Sequence, residues 1–341
     1  MNTTFQISDP SLESQWRAII LFGKNSATYK FAFAKSILEL LEPNKGRLSL
    51  EELAEPFSRF IVEHLQQNDK QGSSKSSTFL NACRSFIQHE IDRDQLIQQT
   101  IKNGFNNVID AFQNVNGGLI NNVFYQKDYT SGKKQIVLTD DIFKLQESTQ
   151  FINFNQEVEA RWKLVETAWD QNINSNLLEV KHDGLNEELY IGDFMRRITI
   201  TSSRDALNGY QKGKCFYTFN DIYIQKGVYN ICAVDHFLPH VNKRSHFSEK
   251  ANINGVWNLV LTDPKVNRAK GAKIPNRKYL ERLYNRNEFY IESKHPLAET
   301  IIYQTGDKPY LRRRFLEKQY NIALSNSIQE WTPDNELPGN F

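Results

Sequence analysis

The chain has 341 residues, of which 39% are hydrophobic and 24% are charged, and this composition is typical of a folded protein rather than a disordered one. It contains no run of about 18 apolar residues, and its first residues lack the basic and apolar regions of a secretory signal, so we expect neither a membrane span nor export. Three scattered cysteines, Cys83, Cys215 and Cys232, are too few for a disulfide scaffold and favour a reducing cytoplasm.

The net charge of +2 conceals an uneven distribution along the chain. Residues 1–195 hold 19 Lys and Arg against 26 Asp and Glu, whereas residues 196–341 hold 23 against 14. Because basic surfaces attract polyanions, the second half favours nucleic acid as a partner, and uneven solubilising charge is the alternative. Charge alone does not separate a protein that cleaves nucleic acid from one that only binds it.

The N-terminal part has the apolar periodicity of helices. Apolar residues recur at helical spacing between residues 16 and 41 and again between residues 53 and 65. Ser49, with Glu52 three residues later, is typical of the capped start of the second of these helices. Two more helices are predicted in this part, over residues 78–90 and 94–112.

A β-hairpin is predicted where the helical pattern ends. Two runs rich in β-branched residues, residues 119–125 and 135–139, flank a polar stretch that contains Gly132. Further helices are predicted to begin near Asp140 and to cover residues 157–170. Together these elements form the first predicted domain, residues 1–195, which we expect to dock a partner or to regulate the second half.

The second half begins with a predicted helix over residues 203–209 and two predicted strands, residues 214–219 and 229–235. A polar loop and a short apolar run follow, and Pro264 is typical of the first turn of another helix. This part of the chain therefore provides strand, strand and helix in that order.

Three short segments in the second half carry side chains suited to chemistry on phosphates. They are Asp235-His236-Phe237-Leu238-Pro239, Trp257-Asn258-Leu259-Val260-Leu261 and Val266-Asn267-Arg268-Ala269-Lys270. Together they resemble the signature of HNH endonucleases, the ββα-metal nucleases, and the wider match over residues 204–286 resembles HNH proteins of bacterial restriction and phage defence. The resemblance implies an α+β protein in which residues 196–341 form a nuclease domain flanked by helices.

The resemblance also implies a role for each polar residue of the three segments. His236 would be the general base that activates water, since a neutral imidazole accepts a proton near pH 7. Asp235 and Asn267 would bind one Mg²⁺ or Mn²⁺ ion through oxygen atoms. Asn258 would brace the loop and orient His236, and Lys270, one helical turn after Asn267, would neutralise phosphate charge.

Basic residues follow the three segments closely. Because Lys and Arg neutralise phosphates, we expect this group to bind nucleic acid. Its members are Lys265, Arg268, Lys273, Arg277, Lys278 and Arg282. Arg312, Arg313 and Arg314 form a second cluster, for which a solvated helix face is the alternative. DNA is the expected partner, RNA stays open, and residues 1–195 are where other defence proteins would dock.

The chain departs from the family pattern at the zinc positions. Many relatives hold a structural zinc with two Cys-x-x-Cys pairs, and the matching positions here are Cys215 with Thr218 and Asp263 with Val266. The resemblance therefore implies that no structural zinc is bound. We expect packing to hold this region instead, through Phe216, Phe219, Trp257 and Val266.

Two other interpretations remain open. Asp170 with Glu179-Val180-Lys181 faintly matches the D…ExK pattern of restriction-type nucleases, but this pattern is short and frequent by chance. A non-cleaving nucleic-acid-binding subunit that keeps the HNH fold is the second alternative. His240 and His246 are either additional metal or phosphate ligands or ordinary residues of a polar loop.

Overall fold

The computed structural model describes most of the chain. It covers residues 10–22, 27–72, 77–115, 117–130, 132–170, 181–183, 188–191, 198–225, 231–239, 251–292, 297–325 and 330–339. Glu179, Val180, His240 and His246, to which the sequence assigned alternative roles, lie outside these residues.

The chain divides into two units, Met1–Gln171 and Asn172–Phe341, whereas the sequence analysis placed the boundary after residue 195. The new boundary also weakens the predicted charge split. The first unit holds 18 Lys and Arg against 21 Asp and Glu, and the second holds 24 against 19. The difference arises because the five acidic residues between positions 179 and 193 belong to the second unit.

The first unit is mainly helical. Its helices are α1 (Leu12–Phe22), α2 (Tyr29–Leu40), α3 (Leu50–Gln67), α4 (Thr78–Ile87), α5 (Arg93–Gln99), α6 (Val108–Ala111), α7 (Asp140–Gln146) and α8 (Phe151–Asp170). Its strands are β1 (Arg47–Ser49), β2 (Asn114–Val115), β3 (Gly118–Leu119), β4 (Tyr125–Asp128) and β5 (Gln135–Leu138). Strand β5 pairs antiparallel with both β4 and β1 and forms a three-stranded sheet.

The start of α3 confirms the capped helix predicted at Ser49. The Ser49 hydroxyl accepts a hydrogen bond from the backbone N–H of Glu52, and the Glu52 carboxylate accepts one from the backbone N–H of Ser49. These two bonds satisfy N–H groups that a helix start otherwise leaves without partners.

The prediction of one helix over residues 94–112 is wrong. Helix α5 continues as a π-helical turn, Thr100–Gly104, and α6 begins only at Val108. A Cβ atom at Gly104 would lie 3.1 Å from the Phe57 ring, so the backbone passes close to that ring where the π-helical turn ends. The break therefore comes from packing against α3, which residue spacing along one helix does not reveal.

The predicted hairpin exists, but its first strand begins later than expected. Residues 118 and 119 pair with residues 114 and 115, and the long hairpin strand starts only at Tyr125. Gln113 explains the difference, because its side chain accepts a hydrogen bond from the N–H of Phe124 and donates one to the carbonyl of Tyr125.

The second unit mixes short strands with helices. Its helices are α9 (Ser203–Gln211), α10 (Pro264–Lys270), α11 (Arg277–Glu292), α12 (Ala298–Thr305) and α13 (Pro309–Ser325), with a 3₁₀ turn at Val256–Asn258. Its strands are β6 (Lys181–Asp183), β7 (Glu188–Ile191), β8 (Ile198–Ser202), β9 (Ala233–His236), β10 (Leu259–Thr262), β11 (Ile274–Pro275) and β12 (Glu330–Trp331). The chain as a whole is thus a mixed helix-and-strand protein, and none of the described helices is long and apolar enough to span a bilayer.

The strand pair of the second unit differs from the predicted one. Residues 216–218 form a turn, in which the N–H of Phe219 donates to the carbonyl of Cys215, so the predicted strand at 214–219 is wrong. Strand β9 pairs instead with β10, which comes from the apolar run after Trp257. Phe219 has a positive φ of 58°, which lies outside the extended region of a strand. The backbone therefore closes the turn at this residue.

Two buried side chains fix β10 in place. Gln211, at the end of α9, accepts a hydrogen bond from the N–H of Leu261 and donates one to its carbonyl. Arg286 of α11 is 1% exposed and donates to the carbonyls of Val256, Trp257 and Leu259. These bonds position β10, the strand that pairs with the β9 residues of the candidate site.

Candidate active site

Strands β9 and β10 and helix α10 form a ββα unit. Along the antiparallel pair, His236 lies opposite Leu259 and Asp235 lies opposite Val260. A single residue, Asp263, lies between β10 and helix α10. It accepts hydrogen bonds from the N–H groups of Lys265 and Val266, and Pro264 occupies the first turn of the helix. The three sequence segments that resemble the HNH signature therefore belong to one compact substructure.

Asp235 lies in the interior of this substructure and is 7% exposed. Its Oδ2 atom accepts a hydrogen bond from the Tyr217 hydroxyl at 2.9 Å, and its Oδ1 atom accepts one from the Lys270 ammonium at 3.0 Å. Burial raises the pKa of Asp235 above its ordinary value, and the neighbouring Lys270 charge and the two hydrogen bonds oppose that rise. Both carboxylate oxygens therefore already have a donor.

Lys270 does not face outward, as the sequence analysis expected of a phosphate-neutralising residue. It is fully buried, and its ammonium donates to the backbone carbonyl of His236 at 2.8 Å as well as to Asp235. The reason is that the last turn of α10 lies against β9, so a long side chain at position 270 reaches the strand. Lys270 thereby ties the end of β9 to α10.

Asn258 has the position predicted for a brace. It is fully buried, its Oδ1 atom accepts a hydrogen bond from the N–H of Leu238, and its Nδ2 atom donates to the carbonyls of Leu238 and Ile253. Its backbone carbonyl also accepts from the N–H of Phe237. Asn258 therefore fixes the conformation of the turn that directly follows His236.

His236 is the last residue of β9 and is half-buried. Because successive residues of a strand point to opposite faces, its side chain and that of Asp235 leave the strand on opposite sides. Asn267 lies in the middle of α10, where it is also half-buried, and its backbone takes part in the helix. The site thus offers an imidazole at a strand end and a carboxamide on the adjacent helix.

The turn at the positions where many HNH proteins hold zinc is held here by protein contacts. The N–H of Asp263 donates to the Cys215 sulfur at 3.4 Å, and the N–H of Phe216 donates to the carbonyl of Leu261. The Phe216 ring packs edge-on against Phe237 at 6.1 Å. Of the other predicted packing residues, Trp257 contacts Phe315 of α13 instead, at 5.0 Å.

The predicted nucleic-acid-binding residues separate into two groups. Lys265, Arg268, Lys273 and Arg277 are exposed, and among the described residues the first two form no ion pair. The side chain of Arg282 is only 17% exposed and bonds to Glu336 and the carbonyl of Phe216, so the expectation of a free phosphate ligand at this position is not met. Lys278 is exposed but is paired with the same Glu336.

The second basic cluster is largely neutralised. Arg312 is 4% exposed and makes a two-atom contact with Glu288, and Arg313 makes the same type of contact with Glu281. Arg314 stays exposed on α13. The run of three arginines is therefore mainly an anchor between α13 and α11 rather than a surface for phosphates.

The sequence analysis missed Tyr217, which is fully buried and donates to Asp235. Its ring packs edge-on against Tyr279 and Trp331, so the hydroxyl is held in one position. A tyrosine in a turn 18 residues before its partner has no spacing signal, and only the fold brings the two together.

A divalent ion does not fit the site as it is folded. The Asp235 carboxylate would have to supply a ligand, but it is almost fully buried and a cationic ammonium lies 3.0 Å from one of its oxygens. In addition, no three His, Cys, Asp or Glu side chains of the described part of the chain are grouped so as to hold a metal ion. Metal binding at Asp235 and Asn267 requires Lys270 to move.

No protein-family model matches the chain, and no curated protein matches it at a significant level.

Proposed function

We propose that this protein is an HNH-type endonuclease that hydrolyses phosphodiester bonds of DNA, with a role in bacterial restriction or phage defence. The observation that carries the proposal is the placement of His236 at the end of the first strand of a ββα unit, with Asn258 clipping the turn behind it. In the HNH resemblance these residues have the roles of general base and brace.

His236 supplies the proton acceptor of the proposed reaction. A neutral imidazole at a strand end accepts a proton from water, and the oxygen of that water forms a bond to the phosphorus atom. The bond from phosphorus to one sugar oxygen breaks, and that oxygen takes up a proton from solvent. Lys265 and Arg268 lie exposed on α10, the helix of the same ββα unit, and bind the negatively charged backbone. The first unit docks partner proteins of the defence system or regulates the second unit.

The proposed cofactor is one Mg²⁺ or Mn²⁺ ion, with Asp235 and Asn267 as its protein ligands. Oxygen ligands suit these hard cations, and such an ion stabilises charge on a phosphate in the transition state. Because the Asp235 carboxylate already accepts a hydrogen bond from the Lys270 ammonium, it is not available to the ion in the arrangement described above.

A non-cleaving nucleic-acid-binding subunit is the second candidate function. The ion pair between Asp235 and Lys270 favours this candidate. A protein in which Lys270 always keeps metal ions away from Asp235 has the fold of the nuclease but does not cleave the nucleic acid that it binds. The exposed cations on α10 serve binding equally well in both cases.

A plasmid-nicking assay separates the two candidates. Supercoiled DNA is incubated with the full chain and Mg²⁺ or Mn²⁺, with EDTA and His236→Ala as negative controls. His89→Ala removes an exposed histidine of the first unit and is the matched control, which should cleave as the wild type does. The nuclease proposal requires metal-dependent nicking that is lost in His236→Ala; equal inactivity of wild type and His236→Ala with both metals would favour the binding subunit.

A further inference from the structure

Two tyrosines of the second unit present their rings to solvent. Tyr303 is 75% exposed and Tyr310 is 63% exposed, whereas Tyr217, Tyr279 and Tyr290 of the same unit are buried. In the described part of the chain, neither exposed ring packs against another ring or bonds a polar group. Packing within the unit therefore does not account for two large aromatic side chains at these positions.

Both tyrosines lie beside the corner at which α12 passes into α13. The N–H of Gly306 donates to the carbonyl of Ile302 and extends the last turn of α12, and Tyr303 lies in that turn. Tyr310 is the second residue of α13. The corner is tight, because a Cβ atom at Gly306 would lie 2.9 Å from the Cβ atom of Leu311. Each tyrosine is therefore within about one helical turn of the same point of the fold.

The corner is fixed to the rest of the unit. Arg312 donates to the carbonyl of Gly306 at 3.2 Å and makes its two-atom contact with Glu288 of α11. Ile301 and Thr305 are buried, so Tyr303, which lies between them on α12, faces the opposite side of that helix. Because an ordered surface loses little conformational entropy on binding, these rings are suited to contact a partner.

Cations accompany the exposed rings. Lys308 is exposed in the corner, and Arg314 is exposed on α13, one helical turn after the tyrosine of that helix. Neither cation is paired with a carboxylate in the part of the chain that the structure describes. Asp307 acts on a different cation, because the contact with Glu288 and, to a smaller extent, the Asp307 charge raise the pKa of Arg312. The charge near the rings thus favours an anionic partner.

We propose that Tyr303 and Tyr310 form a stacking platform for the unpaired bases of single-stranded DNA, whose phosphates Lys308 and Arg314 bind. Every base has an aromatic face that stacks on such rings, whereas in a duplex the neighbouring base pairs cover these faces. The platform therefore favours DNA with an unpaired stretch over a closed duplex. This inference rests on the proposed function for DNA as the partner and adds the state of the strand that the protein recognises.

Fluorescence anisotropy tests the platform without relying on cleavage. The full chain is titrated in EDTA, which prevents metal-dependent cleavage, against labelled oligothymidylate, an abasic strand of the same length and a duplex. The abasic strand has the same phosphates but no bases, so it separates stacking from the attraction of charge. We expect the wild type to bind oligothymidylate more tightly than the abasic strand.

Replacement of either ring should reduce this preference. Tyr303→Ala and Tyr310→Ala should each weaken the binding of oligothymidylate by about ten-fold, which corresponds to the loss of one stacked base, and should leave binding of the abasic strand and the duplex unchanged. Tyr303→Phe and Tyr310→Phe keep the rings and should bind as the wild type does. Leu337→Ala removes another exposed apolar side chain of the same unit and is the matched control.

The two cations are tested through the salt dependence of binding. Lys308→Gln combined with Arg314→Gln should reduce the slope of log K against log salt for oligothymidylate by about 0.7 for each phosphate contact that is lost. Arg47→Gln with Lys102→Gln removes the same charge from exposed positions of the first unit and should leave this slope unchanged. An equal loss of slope in both pairs would reject the roles given to Lys308 and Arg314.

Equal affinity of the wild type for oligothymidylate and the abasic strand, or unchanged affinity in both alanine variants, would overturn the platform and leave the exposed rings to a protein partner. Failure of this proposal and failure of the nuclease proposal are distinguishable. Ring-dependent binding of oligothymidylate without nicking of plasmid DNA retains the platform and rejects the nuclease. Nicking that depends on His236, together with binding that does not depend on the rings, does the opposite.

Discussion

Asn258 makes three side-chain hydrogen bonds, all of them to backbone groups of other segments. Two go to Leu238 and one goes to Ile253, so one amide joins the turn after His236 to the loop before β10. The side chain is fully buried, and its contribution to the site is to hold these two segments in position.

Asn258→Ala should therefore destabilise the second unit by about 3 kcal/mol, since each buried backbone group that loses its partner costs about 1–3 kcal/mol. Urea denaturation of the full chain measures the change. Asn321→Ala, on the exposed side of α13, is the matched control and should change stability by no more than about 0.5 kcal/mol. A similar denaturation midpoint for both variants would contradict the role given to Asn258.

His64, in the first unit, is a buried histidine with acidic neighbours. Its ring stacks on Trp162 at 3.5 Å, Nδ1 lies 2.7 Å from Glu166, and Nε2 lies 3.3 Å from Glu159. Burial alone would lower the pKa of His64, but the bonds and charges of the two glutamates outweigh it and leave the pKa raised. Lys35 of α2 also contacts Glu159, and together with His64 it holds the pKa of that glutamate well below its usual range against the effect of burial.

This cluster should make the stability of the first unit depend on pH in both directions. A raised histidine pKa gives stabilisation that is complete below the unfolded pKa of about 6.5 and is lost as the pH rises through the folded value. A lowered glutamate pKa gives stabilisation that is complete above about 4.5 and is lost in acid. The contribution of the cluster is therefore greatest between about pH 4.5 and 6.5.

Urea unfolding at a series of pH values checks this expectation. The unfolding free energy of the wild type should fall between pH 6.5 and 9 relative to that of His64→Gln, by about 1.4 kcal/mol for each unit by which folding raises the pKa. His89→Gln changes an exposed histidine of the same unit and should follow the wild type. Parallel curves for wild type and His64→Gln would show that His64 does not titrate as its contacts require.

At the scale of elements, the start of α3 depends on a local pair of residues. Ser49 and Glu52 bond each other's backbone N–H groups, and Lys45 adds an ion pair to Glu52 at 3.0 Å. These bonds and the Lys45 charge lower the pKa of Glu52, the bond to the Ser49 backbone most of all. Because strand β1 ends at Ser49, the cap also fixes the point at which strand changes into helix.

Glu52→Ala should destabilise the first unit by about 1 kcal/mol more than Glu51→Ala. Both substitutions remove one negative charge from the first turn of α3, but only Glu52 takes part in the cap. Thermal or urea unfolding of the two variants measures the difference. If both variants unfold alike, the favourable effect is that of charge near the helix start and not that of the cap.

At the scale of the whole molecule, the basic residues divide according to their partners. Arg282, Arg286 and Arg312 are largely buried and bond backbone carbonyls or carboxylates, and they hold the second unit together. Lys265 and Arg268 on α10 are exposed, and in the described part of the chain no carboxylate pairs with them. Of these five residues, Lys265 and Arg268 have charge available for a polyanion.

Lys265→Gln combined with Arg268→Gln should weaken duplex binding at all sequences. Each phosphate contact that is lost should also reduce the slope of log K against log salt by about 0.9. Anisotropy titrations at several salt concentrations measure both effects. Arg47→Gln with Lys102→Gln removes the same charge from exposed positions of the first unit and should leave the slope unchanged; an equal loss in both pairs would mean that net charge, and not the surface of α10, attracts the duplex.

Local features were predictable wherever neighbouring residues interact. The cap at Ser49 and the proline at the start of α10 both depend on residues a few positions apart. The strand pairing was not predictable from the same pattern, because β10 comes from an apolar run that suits a strand or a buried turn equally well. Two other boundaries were not predictable for the same reason. Gln113 determines where β4 starts through its bonds to Phe124 and Tyr125, and the π-helical turn ends at Gly104, against the Phe57 ring.

The sequence by itself determined the chemistry available to this protein: an imidazole, a carboxylate, two carboxamides and an ammonium in three short segments that many basic residues follow. The tertiary structure decided which of these groups meet. It placed the Lys270 ammonium on the Asp235 carboxylate, 35 residues away, and added Tyr217 to the same carboxylate. The physical reason is that a buried charge must find its partner in space, and sequence spacing within a helix or strand does not specify partners on other elements.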